Sequence, residues 1–367
     1  MRSDHRPILL QVGCQNSPNV PRQFRYFSGW LSHEDFPRMV RDNWQPSQNM
    51  SDTITSFVHA ADVWNSTVFG YIGTKKRMLM ARLRGIQRAL NSRPSRFLIN
   101  LEAKLLINLE NLLDQEELLW KQKACAAWIS LGDRNTSYFH RRAIYKKQRS
   151  RISSLKLHDS SWCDDPSILK EEVVRFFESL FSTTDELTPI FPNVRSFHSL
   201  PSASLAHLDQ PPSPSEIHDA LKDMAPLKSP GWDGLHVEFF QSQWSIVGPS
   251  IYAMIHNIFT GGTIEPRLNN TVLVLIPKSD KLETFIDFRS ISLCTVLYKL
   301  LTKIIVRRLK PLFPKIISQC QTSFISGRSI TENIIVNHEV IHSMGSCKSK
   351  HGWMAIKVDL EKAFDRL

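Results

Sequence analysis

Residues 270–310, NTVLVLIPKSDKLETFIDFRSISLCTVLYKLLTKIIVRRLK, frame the reading of the whole chain. NTVLVLIPK (270–278) has the length, β-branched content and terminal Pro277 of a buried strand. DFRSISL (287–293) is a short segment ahead of a helix expected over 295–310. Within that helix, KIIVRRLK (303–310) places Ile304, Ile305 and Leu309 on one apolar face. Its cations are either the wet side of a core helix or part of a binding surface.

Upstream, Ser213-Pro214-Ser215-Glu216 reads as a capping box with Pro in the first turn, opening the helix IHDALKDM. A Gly/Pro turn, SPGWDG (229–234), and a helical pair reaching about residue 260 follow. Residues 182–213 are rich in Ser, Thr and Pro and predict an irregular linker or surface loop. ILKEEVVRFFESLF (168–181) is helical, whereas 130–165 reads as turns and short strands with GDRN (132–135) as a turn. From Ser51 to Leu119 the pattern is helical again. Leu98, Leu105, Leu112 and Leu119 recur at seven-residue steps, and Pro94 either ends the preceding helix or begins this one. Residues 1–50 are Pro- and Arg-rich without sustained periodicity. Downstream, MAIKVDL (354–360) predicts a last strand. The fold class expected is α+β and helix-rich.

With 367 residues and 42% hydrophobic content the chain can build a sizeable core. No run approaches the roughly 18 apolar residues of a membrane span, and the apolar part of MRSDHRPILLQVG is too short for a secretory signal. Six scattered Cys without a C-x-x-C pair fit reduced thiols. The expected setting is intracellular, nuclear or cytoplasmic, with no membrane partner. The net charge is +11, and residues 121–157 alone hold +9, with Trp128, Tyr138, Phe139 and Tyr145 interleaved among the cations. Cations neutralise phosphates and aromatic faces stack on unpaired bases, so this stretch predicts nucleic-acid binding through Arg141, Arg142, Lys146 and Lys147. The alternative is a solvated helix face.

SPGWDG, LIPK, DFRSISL, QTSFISGR (321–328) and KVDLEKAFD (357–365), in that order, resemble the reverse transcriptase of LINE-type (non-LTR) retrotransposons, plant-like in kind. WISLGDRNTSYFH (128–140) resembles the segment leading into that polymerase, and Ser3-Asp4-His5 the end of the endonuclease that precedes it. The resemblance implies three parts: an endonuclease remnant (1–50), a helical and basic linker (51–212) and a partial reverse transcriptase (213–367). The last would be an incomplete right-hand polymerase, with fingers and the first palm strand. It implies an RNA template, a DNA primer, deoxynucleotides and Mg²⁺.

By the same resemblance Asp359 is the catalytic metal ligand, and Phe364 floors the sugar pocket and excludes a 2′-OH by volume. Lys278 and Arg289 grip the triphosphate, and Gln321, Gly327 and Arg328 lie along the template. Asp4 and His5 are nuclease residues. Taken alone, Asp359 could instead cap the following helix, and Lys278 and Arg289 could be ordinary surface cations. Ser290 stands where the family usually has Pro after the Arg, and Trp232 where it commonly has Pro. The family's second carboxylate pair does not occur in these residues after Asp359, and SWCDDP (161–166) reads as a turn. The expectation is therefore a polymerase fragment inactive alone, the alternative being a non-catalytic nucleic-acid-binding protein derived from a retroelement.

Overall fold

The computed structural model describes residues 23–46, 49–124, 136–150, 152–157, 160–182, 202–279, 282–347 and 353–359. A 3₁₀ turn at Ser28–Ser32 leads into α1 (Phe36–Asn43) and α2 (Met50–Trp64), which continues as a π turn to Phe69. Two long helices, α3 (Ile72–Ser92) and α4 (Arg96–Ala124), form an antiparallel hairpin turning at Pro94. Pro94 therefore lies between the two helices. Leu83, Ile86 and Leu105 are buried between them, and the Leu105 and Leu112 steps of the predicted stripe face inward.

Next come α5 (Thr136–Arg149), the two-residue strands β1 (Leu155–Lys156) and β2 (Trp162–Cys163), and α6 (Pro166–Phe181). Further along the chain are α7 (Ser202–Asp209), α8 (Pro214–Lys222), α9 (Val237–Ser242), α10 (Trp244–Phe259) and α11 (Pro266–Asn269). β3 (Val272–Pro277) pairs antiparallel with β4 (Phe288–Leu293), and α12 (Val296–Leu309), α13 (Phe313–Ile316) and α14 (Ile330–Ser346) follow. Among the described residues no helix is long and apolar enough to cross a membrane.

One aromatic-rich core joins segments far apart in sequence. Tyr26, Trp30, Phe36, Trp44, Phe57 and Trp64 pack with Leu112 of α4 and with Phe239, Phe240, Ile251, Leu297 and Ile304. Phe57 stacks on Phe239 with ring centroids 4.9 Å apart, and Trp44 Nε1 donates to Ser250 Oγ at 3.0 Å. Residues 24–44, where no periodicity was visible, thus contribute much of the densest packing. Their legible signal was the run of aromatics Phe24, Tyr26, Phe27, Trp30, Phe36 and Trp44.

SPGWDG explains how these segments meet. Gly234 has φ +70°, a left-handed conformation that favours glycine, and a Cβ there would lie 2.1 Å from Phe24 O. The Tyr26 amide donates to Gly234 O at 3.0 Å. A Cβ on Gly231 would meet Thr295 N at 2.7 Å, so this glycine lets the loop press on the start of α12. Trp232, in the family's Pro position, donates from Nε1 to Arg267 O and lies under the Arg267 guanidinium.

Several expectations change. Residues 353–359 form no strand and Trp353, Met354, Ile356 and Val358 are exposed, because a strand needs a neighbouring backbone and none pairs with them among the described residues. The 130–165 region contains a helix, α5, since Phe139 finds a buried place against Ala124. Within 182–213, residues 202–209 are helical, while 183–201 lie outside the described residues, as does GDRN. The 270–278 strand forms but is half-exposed, with Val274 and Ile276 on an open face. The capping box is half-formed. Ser213 Oγ accepts the Glu216 amide at 3.2 Å, but the Glu216 carboxylate instead accepts two hydrogen bonds from Arg308 at 2.7 Å. Arg308 is buried while Ile305 is exposed, so the predicted apolar face of 303–310 is rotated.

Candidate nucleotide and nucleic-acid site

The β3–β4 hairpin is held from behind. Leu155 of β1, Phe285 and Phe288 are buried together, with Leu169, Val173 and Phe176 of α6 and Leu275 of β3 packed on them. The turn between the strands is closed by Asp287, whose carboxylate accepts the amides of Glu283 and Thr284, each at 2.9 Å. Those backbone donors hold its carboxyl below the usual carboxylate range.

Register then places the two expected triphosphate ligands. Ile276 lies opposite Arg289, and side chains alternate along a strand. Lys278, two residues beyond Ile276, therefore shares a face with Arg289 as its diagonal neighbour, a Cβ–Cβ separation of about 7–8 Å or somewhat less. Both are exposed. Lys278 Nζ donates to Ile286 O at 2.7 Å, which holds the cation at the hairpin's end.

The loop from 318 to 329 is built around Arg328. Its guanidinium donates to the carbonyls of Pro314, Ile317, Ser318 and Gln321. This fork shapes the loop. Gln321 is exposed and donates to Ser323 O at 3.3 Å, and Gly327 takes φ +82° with open space around it. Phe324 was not singled out from sequence. It is 90% exposed at φ +66°, a conformation costly for a bulky residue. Nothing in its residue type signalled this.

On α5, Arg141, Lys146 and Lys147 are exposed, and Arg142 is half-buried and donates to Tyr138 Oη at 2.9 Å. Of the interleaved aromatics, Phe139 belongs to the core and Tyr145 is 61% exposed, while Trp128 lies outside the described residues. Asp4, His5 and Phe364 also lie outside them. Asp359 is exposed. Among the described residues no group of three or more His, Cys, Asp or Glu side chains could hold a metal ion.

The SPGWDG loop itself carries a buried carboxylate to which the motif reading gave no role. Asp233 is 2% exposed; Oδ1 accepts the Leu235 amide at 3.2 Å, and Oδ2 is buried without a partner among the described residues. Burial raises its carboxyl to about 6. Lys299, which donates to Ser229 O at 3.1 Å, and His236 are both lowered by burial beside it.

Residues 276–367 match the reverse transcriptase (RNA-dependent DNA polymerase) family. Over its whole length the chain aligns, at 25% identity, with the Transposon TX1 uncharacterized 149 kDa protein of Xenopus laevis. It spans 29% of that relative's length.

Proposed function

We propose, from the premise that this chain is related to LINE-type (non-LTR) reverse transcriptases, that it forms the fingers portion of an RNA-directed DNA polymerase. The supporting observation is the hairpin register that sets Lys278 and Arg289 on one exposed face. Lys278 supplies a point charge and Arg289 a two-pronged fork for the triphosphate of an incoming deoxynucleotide. The loop carrying Gln321, Gly327 and Phe324 lies along the template, with Arg328 as its internal clamp. Phe364 excludes the 2′-OH. The division into 1–50, 51–212 and 213–367 describes which parts of a longer polyprotein these residues derive from, Asp4 and His5 marking the nuclease part.

Asp359 is the carboxylate of the metal-bearing motif within these residues, and alone it does not hold the cation. Residues 1–367 by themselves are therefore proposed not to polymerise. On a primed RNA template with Mg²⁺ and deoxynucleotides, the 367-residue chain should incorporate nothing above background. Extended by a palm segment bearing an acidic pair, it should gain activity that Asp359→Ala abolishes. Incorporation by the 367 residues alone, lost in Asp359→Ala, overturns this reading. A second reading, nucleic-acid binding without catalysis, is favoured by α5, which carries five cations and no acid.

A further inference from the structure

We propose that the outer face of α3 is a docking surface for the phosphate backbone of an RNA–DNA hybrid duplex. α3 contains Lys75, Lys76, Arg77, Arg82, Arg84 and Arg88 and no acidic residue. At 3.6 residues per turn, Arg77, Arg84 and Arg88 fall within about 40° of one another. Leu79, Leu83, Ile86 and Leu90 occupy the opposite side and pack towards α4. All three arginines are exposed. From Arg77 to Arg88 the helix rises roughly 16 Å, enough to meet several successive phosphates of one strand.

Gly73 and Ala81 lie beside these arginines and Gly85 about 80° round from the middle of the stripe, still away from α4, and a Cβ added at either glycine would meet nothing within 4 Å. A glycine inside a helix costs about 1 kcal/mol relative to Ala. No contact within the described structure explains Gly85, whereas an approaching sugar–phosphate backbone needs that space. α3 has no aromatic residue, so it offers no platform for unpaired bases. That separates it from α5 with its exposed Tyr145 and favours a duplex, whose bases are already stacked. The choice of hybrid rests on the reverse-transcriptase reading, since that reaction makes the hybrid beside this chain.

The test is fluorescence anisotropy of the full chain with a labelled 24-base-pair RNA–DNA hybrid across a salt series. Arg77→Gln/Arg84→Gln/Arg88→Gln should lower the salt slope by about two to three and weaken binding at 0.1 M salt by roughly tenfold or more. Gln is a good helix former, so the melting temperature should hold. Gly85→Leu should raise the melting temperature yet weaken hybrid binding several-fold. An unchanged slope in the triple variant overturns the proposal, as does an equal loss on single-stranded RNA. Equal loss on a DNA duplex overturns the assignment to the hybrid. Because the assay scores bound duplex rather than product, it stays readable if the polymerase reading fails.

Discussion

Asp233 places a carboxylate where only one of its oxygens finds a donor among the described residues. Its folded-state value of about 6 exceeds the ordinary 3.8, so between those values the native state holds a proton that the unfolded chain has released. The stabilising contribution is thus full below about pH 4 and lost as pH rises through about 6. Asp233→Asn keeps the acceptor for the Leu235 amide and removes the buried charge. Denaturant midpoints from pH 4 to 8 should be flatter in the variant, which should exceed the parent near pH 8 by about 1–3 kcal/mol. Residues of this kind are hard to read in advance. Lys278, Arg289 and Arg328 were named only through the family resemblance; strand alternation then accounts for the shared face of the first two. The inward use of Arg328 and the burial of Asp233 were not legible, since they depend on which carbonyls or amides a folded loop turns inward.

Among the elements, the Arg308–Glu216 ion pair ties α12 to α8 and the end of α7, beside a second pair between Arg307 and Asp223 at the cap of α8. Arg308 is 7% exposed, forks onto Glu216 and also donates to the carbonyls of Leu208 and Gln210. Removing Arg308 leaves the part-exposed Glu216 carboxylate without its partner, and Arg308→Ala should cost roughly 1.5–3 kcal/mol in chemical denaturation. Arg308 holds the Glu216 carboxyl below its usual range, so this contribution is present above about pH 4.5 and lost as pH falls through the depressed value. On α5, changing Arg141, Arg142, Lys146 and Lys147 to Ala should flatten the salt dependence of single-stranded RNA binding by about three, at roughly 0.7 per phosphate contact, with helicity kept. An unaltered slope would make α5 a solvated face. Helices were legible where a stripe persists, as in α4, and where a cap announces them, as at Ser213. α14 was missed because its apolar residues, including Ile334, Ile335, Val340 and Ile341, are exposed and do not define one buried face. MAIKVDL has strand composition, but composition supplies no partner.

For the molecule as a whole, stability is shared between segments about 200 residues apart. Trp44→Ala removes a buried ring and its bond to Ser250, and should cost about 3–5 kcal/mol. If residues 24–72 and 217–304 are one cooperative body, hydrogen exchange should show both losing protection together in the variant. Loss confined to 24–72 would show two independently stable parts. The charge excess and the long helical hairpin were visible from composition and periodicity. The joining of the early aromatics to α9, α10 and α12 was not, because no local pattern records a partner 200 residues away.

The Tyr26–Gly234 contact also sets a schedule for synthesis. A ribosome adds about 5–20 residues per second, so the Phe24–Trp64 aromatics leave it roughly 10–40 s before the helices that cover them. During that interval the nascent chain carries Tyr26, Trp30, Phe36 and Trp44 without their later partners. Holdase chaperones that recognise bare aromatic stretches have that long to engage them, and yield should fall when translation is slowed between residues 72 and 217.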